Sequence, residues 1–269
     1  MKYVTYHFKK VAFLSEGKGT PVVLLHGFCE DSTIWDDFAA ALLEEPFRII
    51  RIDLPGFGKS EVLPDATIEQ MAEAVQVVLK SLRLKQVILI GHSMGGYVSL
   101  AFARRFPGML LGLGLFHSHP YPDTAEKKEG RRKSIAFIGR QGHILFVKQL
   151  IPALFTPKFA RSNSFLLEKL IFSASKYKST GIMAALEAMA SRPDESGTLA
   201  GIEAPALFII GEEDSAIPPA QSLEQIHLPA AASIHILGQV GHMGMFEAKR
   251  KTEQAVREFV FFCSNKSQS

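Results

Sequence analysis

The sequence predicts an α/β fold in which a mostly parallel, eight-stranded sheet is flanked by helices and interrupted by a helical insertion. Short apolar segments rich in branched residues, such as residues 21–25, alternate with segments of helical period, such as residues 68–82. Strands buried on both faces of a parallel sheet have this continuous apolar character. The alternation stops between about residues 120 and 201, where helical patterns follow one another, and it resumes afterwards.

The strands are predicted in chain order from these apolar segments. Residues 2–16 contain two of them around Lys9-Lys10, which predicts a β-hairpin at the start of the sheet. The remaining six strands are predicted at residues 21–25, 47–52, 86–90, 109–116, 205–210 and 233–237.

The helices between these strands follow from apolar positions spaced by three or four residues. Thr67 is expected to cap the helix that begins at Ile68. Other helices are predicted at residues 35–43, 96–105, 165–171, 182–189, 219–227 and 247–262.

We expect residues 120–200 to form a helical cap between two parts of an α/β core, residues 1–119 and 201–269. Within the cap, the mixed-charge run 126–133 favours a solvated helix face over a patch that guides anions. We find no internal repeat.

Composition narrows the class of protein. The chain has 269 residues, 47% hydrophobic and 21% charged, and a net charge of +3, values that favour a globular domain. Without a basic stripe interleaved with aromatic residues, nucleic acid is not an expected partner. The two cysteines, Cys29 and Cys263, are far apart, so neither a disulfide framework nor a metal site is expected. With no apolar signal segment or membrane span, the prediction is a cytoplasmic protein whose oligomeric state remains open.

The most informative segment is Gly91-His92-Ser93-Met94-Gly95, which lies between a predicted buried strand and a predicted helix. Glycines two positions on either side of a serine permit a tight strand-to-helix turn. Such a turn exposes the hydroxyl above the sheet, and the amide of Met94 then points to where an oxyanion would form. The context predicts a nucleophile rather than a turn that merely packs helix on sheet.

Two further polar residues follow predicted strands. Asp214 comes four residues after the strand ending at Ile210, and His242 lies in the loop after the last strand. A serine hydroxyl needs a base, and the base needs a carboxylate to fix its tautomer. Ligands in open α/β sheets bind beyond the carboxyl ends of the strands, where all three residues are expected.

Several motifs in this order resemble the α/β-hydrolase superfamily, and they are similar to those of small carboxylesterases and enol-lactonases. The resemblance extends from about residue 3 to residue 262, with only a loose match in the cap. The motifs are His26-Gly27-Phe28, Asp53-Leu54-Pro55-Gly56-Phe57-Gly58-Lys59-Ser60, Gly91-His92-Ser93-Met94-Gly95-Gly96, Gly211-Glu212-Glu213-Asp214 with Pro218, and Gly241-His242.

The resemblance implies an α/β-hydrolase fold and a site that needs no cofactor. Ser93 would be the nucleophile, His242 the base and Asp214 the acid. The backbone amides of Phe28 and Met94 would form the oxyanion hole.

The superfamily can also carry its acid after an earlier strand, which here leaves Asp123 as the nearest carboxylate. Asp123 follows two prolines and lies where the chain leaves the sheet, so it should not reach a histidine. Glu212 and Glu213 are nearer the strand end, but the resemblance and the offset favour Asp214. We therefore predict an Asp214 oxygen about 2.6–3.2 Å from Nδ1 of His242.

The cap is expected to cover Ser93 with apolar side chains. Expected pocket residues are Phe137, Phe146, Leu150 and Met183, alongside His117 or His119. For the two histidines a structural role is an equal alternative, and a metal site is not expected because no carboxylate or cysteine lies at ligand spacing. Packing or turn roles are expected for His26, His92, Asp53, Cys29 and Trp35.

The sequence thus favours a serine hydrolase that cleaves a small ester or lactone through an acyl-enzyme. Hydrolytic carbon–carbon cleavage of a diketone-type substrate would use the same triad. A ligand sensor with slow turnover on the same fold is a third hypothesis, because fold alone does not decide function.

Overall fold

The computed structural model describes residues 1–266 and contains one eight-stranded sheet. The strand order is β1-β2-β4-β3-β5-β6-β7-β8, and only β2 runs against the others. The strands are β1 (Lys2–Tyr6), β2 (Lys9–Gly17), β3 (Thr20–Leu25), β4 (Phe47–Ile52), β5 (Val87–His92), β6 (Leu110–Phe116), β7 (Ala206–Gly211) and β8 (Ala232–Leu237).

Helices cover both faces of this sheet. On one face α2 and α3 pack together, and on the other α1 packs against α12. The helices are α1 (Asp36–Leu42), α2 (Ile68–Ser81), α3 (Met94–Arg105), α4 (Ala125–Gln141), α5 (Ile144–Ala153), α6 (Pro157–Ser162), α7 (Ser164–Ala174), α8 (Ser179–Ser191), α9 (Ser196–Gly201), α10 (Pro219–Leu223), α11 (Gly244–Glu247) and α12 (Lys249–Lys266).

The central strands carry the core. Every residue of β5 and β7 is buried, because helices cover both faces of the sheet there. Edge strand β8 instead alternates between exposed and half-buried residues until its buried last position. The predicted eight-stranded, mostly parallel sheet is therefore confirmed.

Some element boundaries differ from the sequence predictions. The first turn lies at His7 and Phe8, which both adopt positive φ, so β2 begins at Lys9. The helix predicted from residue 219 to residue 227 ends at Leu223. The predicted closing helix is divided at Ala248, whose φ of −134° and ψ of 42° are not helical.

One predicted cap is confirmed in detail. The Thr67 side chain accepts from Gln70 N, and the Gln70 side chain accepts from Thr67 N, which forms a capping box at the start of α2. This cap satisfies two amides that the first turn of a helix leaves without partners.

Six helices, α4 to α9, lie in the chain between β6 and β7, where the sequence predicts a cap. Helix α4 packs against α8 and α5 against α7, whereas α9 packs against α3 beside the sheet. The division of the chain at residues 120 and 200 stays a prediction. Within residues 1–266, no helix is both long and apolar enough to cross a membrane.

Candidate active site

Ser93 lies between the end of β5 and the first residue of α3. Its φ of 50° and ψ of −114° are strained for a residue with a side chain, and such strain costs about 1–3 kcal/mol. A Cβ at Gly91 would lie 2.1 Å from the Gly95 carbonyl oxygen, and one at Gly95 would lie 2.7 Å from that of His26. Glycine is therefore required on both sides of the turn.

Two backbone amides belong to segments beside Ser93. Met94 is the first residue of α3, so its N–H has no partner within the helix and lies at the positive end of the helix dipole. Phe28 lies in the loop after β3, and Gly27 N in that loop donates to Glu30 Oε2 over 2.6 Å. Phe28 and Ser93 line the same cavity.

Asp214 and His242 form the hydrogen bond that the sequence predicts. His242 Nδ1 lies 2.8 Å from Asp214 Oδ2, and both side chains are buried. The other carboxylate oxygen, Oδ1, accepts from Ala216 N and Ile217 N, each at 2.9 Å. Burial alone would raise the pKa of Asp214, but the contacts with His242 and His117 lower it well below its usual value. Asp214 is therefore an ionised, fixed acceptor.

The three other candidates for the acid lie elsewhere. Asp123 forms ion pairs with Arg131 and with Arg192 Nη1, the latter at 2.6 Å. Glu212 and Glu213 are exposed in the loop that precedes Asp214.

The backbone of His242 is held from two sides. Its N–H donates to Leu154 O over 2.8 Å, and its carbonyl oxygen lies 2.9 Å from His92 Nε2. Leu154 directly follows α5, whereas His92 ends β5. The loop after β8, which carries His242, is therefore hydrogen-bonded both to the helical insertion and to the strand that precedes Ser93.

Sequence reasoning missed a buried ion pair beside this loop. His92 Nδ1 lies 3.0 Å from Glu30 Oε2. Burial alone would lower the pKa of His92, but Glu30 raises it, and His92 in turn lowers the pKa of Glu30 despite the burial of that carboxylate. The sequence carries no signal for this pair, because Glu30 lies two residues beyond the His26-Gly27-Phe28 motif and its partner is 62 positions away.

His117 lies behind the acid rather than in the cavity. Its Nδ1 is 3.2 Å from Asp214 Oδ2 but poorly aligned for a hydrogen bond, and its Nε2 accepts from Gly244 N at 3.2 Å. Burial lowers the pKa of His117 to about 4, although Asp214 acts to raise it. His117 is therefore neutral at pH 7, with its proton assigned to Nδ1 by the Gly244 bond.

The prediction that no carboxylate lies at ligand spacing from His117 is wrong, because folding brings Asp214 to His117. Ligand atoms of His117, Asp214 and His242 all lie within 4.8 Å of one another. Among these three residues, the hydrogen bond that the structure contains joins Asp214 to His242.

A cavity of about 410 Å³ opens above Ser93, and His242 and Tyr97 also line it. Its apolar wall comes from the loop after β3, from the helical insertion and from the loop after Asp214. That wall consists of Phe28, Phe146, Leu150, Leu154, Leu186, Met189, Ala216 and Ile217.

Four of the six expected pocket residues lie outside the lining of this cavity. Phe146 and Leu150 line it, but Phe137 and Met183 pack against the hydrophobic core instead. Helix α8 presents Leu186 and Met189 to the cavity, and Met183 lies one turn too early on the same helix. His117 and His119 are buried, and His119 Nδ1 accepts from the backbone N of Tyr121.

The mixed-charge run is only partly a solvated face. Glu126 and Glu129 are exposed, as expected, but Lys127 and Arg131 line the cavity together with Ser134. These positions lie three or four residues apart and therefore share one face of α4.

Comparison with known proteins gives the family. A thermophilic esterase from Thermogutta terrifontis, whose structure has malate bound, is 32% identical; the alignment covers 98% of this chain and 100% of that chain with a TM-score of 0.92. A sequence model of the α/β-hydrolase fold also matches residues 20–133. This chain belongs to the α/β-hydrolase superfamily.

Other relatives of this α/β-hydrolase differ in the reaction for which they are named. An enol-lactonase from Burkholderia xenovorans LB400, 24% identical over 97% of this chain and all of that chain, shares the fold with a TM-score of 0.90. A 2-hydroxy-6-oxononadienedioate/2-hydroxy-6-oxononatrienedioate hydrolase from Burkholderia vietnamiensis is 26% identical over 93% of this chain and 91% of its own. Hydrolysis is common to these names, whereas the bond that is cleaved is not.

Proposed function

We propose that this α/β-hydrolase cleaves a carboxylic ester or lactone through an acyl-enzyme formed on Ser93. The observation that carries the proposal is the strained Ser93 turn, which lines the same cavity as a histidine bonded to a buried aspartate. Ester cleavage is favoured because the 32% identical relative, matched over its full length, is an esterase.

In the proposed reaction, Ser93 Oγ attacks the substrate carbonyl carbon while His242 Nε2 takes the hydroxyl proton. Asp214 holds His242 through Nδ1 and stabilises the imidazolium that forms. The carbonyl oxygen becomes an oxyanion that the amides of Phe28 and Met94 bind, and one such donor contributes about 3 kcal/mol to lowering the barrier.

Collapse of this intermediate breaks the carbon–oxygen bond to the leaving alcohol, which receives the proton from His242. Water then attacks the acyl-enzyme carbonyl and gives its proton to His242. The acid leaves as the proton returns to Ser93 Oγ, so the enzyme is regenerated without a cofactor. Helices α4 to α8 would act as a cap, since eight of the residues that line the cavity belong to them, among them the apolar Phe146, Leu150, Leu186 and Met189.

Hydrolytic carbon–carbon cleavage is the second candidate. It is favoured by the full-length similarity to the 2-hydroxy-6-oxononadienedioate hydrolases, at 26% identity. The same Ser93, His242 and Asp214 would act, but the leaving group would be a carbon that requires protonation.

The test combines labelling with turnover. A fluorophosphonate should label the wild-type protein on Ser93, and Ser93→Ala should remove the label and lower ester hydrolysis by about 10⁴-fold or more. Ser134→Ala is the matched control, because Ser134 is another serine in the same cavity, and that variant should still be labelled.

Two outcomes would contradict the proposal. Labelling that persists in Ser93→Ala, or activity above about a tenth of wild type, would exclude Ser93 as the nucleophile. Turnover of 2-hydroxy-6-oxononadienedioate with no hydrolysis of simple esters would favour the carbon–carbon candidate instead.

A further inference from the structure

The cavity above Ser93 has cationic lining residues on α4 in addition to its apolar wall. Lys127 and Arg131, one turn apart on that helix, both line the cavity, and Lys127 is only partly exposed. The proposed reaction uses neither side chain, although each lies within the same cavity as Ser93.

Positive charge exceeds negative charge in this cluster. Arg131 and Arg192 both bind the buried carboxylate of Asp123, and Arg192 also stacks on Tyr97 at 3.9 Å. Lys127 adds a third cation, and the second carboxylate that acts on it, Asp214, already accepts hydrogen bonds from His242 and from two backbone amides. Within residues 1–266, the polar contact found for Lys127 Nζ is a long one, 3.4 Å to the Ala216 carbonyl oxygen. An ammonium has three donors, so Lys127 has donor capacity left for a ligand.

Two carboxylates near the cavity, Glu30 in its lining and Asp214 bonded to the lining residue His242, already have hydrogen-bond partners. Glu30 is 3.0 Å from His92, and Asp214 is 2.8 Å from His242. Burial lowers the pKa of Lys127, and the charges of Arg131 and Arg192 lower it further, against the opposing effects of Asp123 and Asp214. A half-buried cation with donors to spare is stabilised by an anion that enters the cavity.

We propose that the substrate carries a carboxylate, which Lys127 binds while the bond to be cleaved lies at Ser93. This inference rests on the proposed hydrolase function and names its substrate class, a compact ester or lactone with an anionic substituent. The apolar wall holds the hydrocarbon part, and Arg131, fixed by Asp123, adds positive potential. Lys127 contacts the Asp214 loop through Ala216, so a carboxylate at Lys127 lies next to the machinery that moves the proton.

The test compares matched neutral and anionic esters in one protein. The first pair is 4-nitrophenyl pentanoate and mono-4-nitrophenyl glutarate, with the carboxylate on the acyl part. The second pair is phenyl acetate and 4-carboxyphenyl acetate, with the carboxylate on the leaving group. In Lys127→Met the anionic-to-neutral ratio of kcat/KM should fall roughly 10- to 100-fold for at least one pair, since a charge-assisted hydrogen bond is lost.

Two variants separate this effect from general damage. Lys127→Arg keeps the charge and should retain most of the wild-type ratio. Lys133→Met removes an exposed lysine of the same helix and should leave the ratio unchanged. The proposal is overturned if Lys127→Met changes neutral and anionic esters alike, or changes neither pair.

A binding measurement keeps the inference separate from the proposed reaction. Glutarate titrated calorimetrically into Ser93→Ala should bind at least tenfold more tightly than into the protein that also carries Lys127→Met. Equal affinities, or no binding, would overturn the carboxylate site. Glutarate binding without ester turnover in the wild-type protein would instead contradict the esterase proposal alone.

Discussion

At the scale of single residues, the site depends on the hydrogen bonds that fix the carboxylate of Asp214 in one orientation. Its Oδ1 accepts two backbone amides, and its Oδ2 faces one ring nitrogen each from His242 and His117. A carboxylate with three hydrogen-bond donors, two backbone amides and His242, stays ionised and does not rotate, because rotation would break these bonds. The orientation of His242 is thereby fixed before substrate arrives.

We predict that Asp214→Asn lowers kcat by roughly 10⁴-fold, because an amide nitrogen in place of Oδ2 favours the wrong His242 tautomer. The measurement is ester turnover, with the circular dichroism spectrum as a check that the fold is intact. Glu213→Gln removes the neighbouring exposed carboxylate and should leave kcat unchanged. If the two variants lost activity equally, Asp214 would not be the acid.

The Glu30 and His92 pair leads to a second prediction at this scale. Removing one member of a buried ion pair leaves a charge without a partner, at a cost of about 3–5 kcal/mol. Glu30→Gln should therefore lower the free energy of unfolding by about 3 kcal/mol in urea titrations at pH 7. The double variant Glu30→Gln/His92→Gln should lose less than the two single variants added together. Strict additivity would show that the pair does not interact.

At the scale of elements, the helical insertion contacts the core closely at a pair of glycines, one on each side. Gly181 lies in the first turn of α8, and a Cβ there would be 2.8 Å from the Gly56 carbonyl oxygen. Gly56 has a φ of +94°, so its own conformation also requires glycine. Nearby, Tyr177 donates to Asp31 Oδ2 over 2.8 Å and joins the insertion to the loop after β3.

The Gly181 contact predicts the effect of a single methyl group. In an open helix Gly→Ala stabilises by up to about 1 kcal/mol, whereas overpacking against backbone costs about 1–3 kcal/mol. We expect Gly181→Ala to be destabilising overall, by about 1–2 kcal/mol, in thermal or urea unfolding. Gly139→Ala is the matched control, because Gly139 lies within α4 and has no atom within 4 Å of its Cβ position. If both variants were more stable than the wild type, the contact at Gly181 would accommodate a methyl group and the prediction would be wrong.

At the scale of the whole molecule, buried neutral histidines couple stability to pH. Burial, together with the nearby cations Arg192 and Lys127, lowers the pKa of His119 to about 3. An unfolded histidine has a pKa near 6.5. Between these two values the unfolded chain binds more protons than the native protein, so native stability is lost as the pH falls.

We predict that the free energy of unfolding falls as the pH drops from 6.5 to 4.5, with a contribution of about 2 kcal/mol from His119. His119→Gln should make this pH dependence shallower in urea titrations across that range. His227→Gln replaces an exposed histidine and should leave the dependence as in the wild type. Parallel curves for the wild type and His119→Gln would contradict a neutral buried His119.

The sequence by itself determined the fold and the positions of the polar groups along it. Strands such as β5 are apolar throughout because both faces are covered, so their local composition was sufficient to find them. The strand-to-helix turn at Ser93 was equally local, since the close backbone contacts there require glycine at Gly91 and Gly95. The bond between Asp214 and His242 followed from strand order, because parallel strands bring their carboxyl ends to one edge.

Only the tertiary structure decided which side chains surround the cavity. Helical period identifies the faces of α4 and α8 but not which turns reach Ser93, so Met183 was expected in place of Leu186 and Met189. The positions of Lys127 in the cavity and of His117 behind Asp214 depend on how the insertion and the loop after β6 approach residues more than 80 positions away in the chain. Spacing within one segment carries no information about contacts between distant segments, because those are set when whole elements pack.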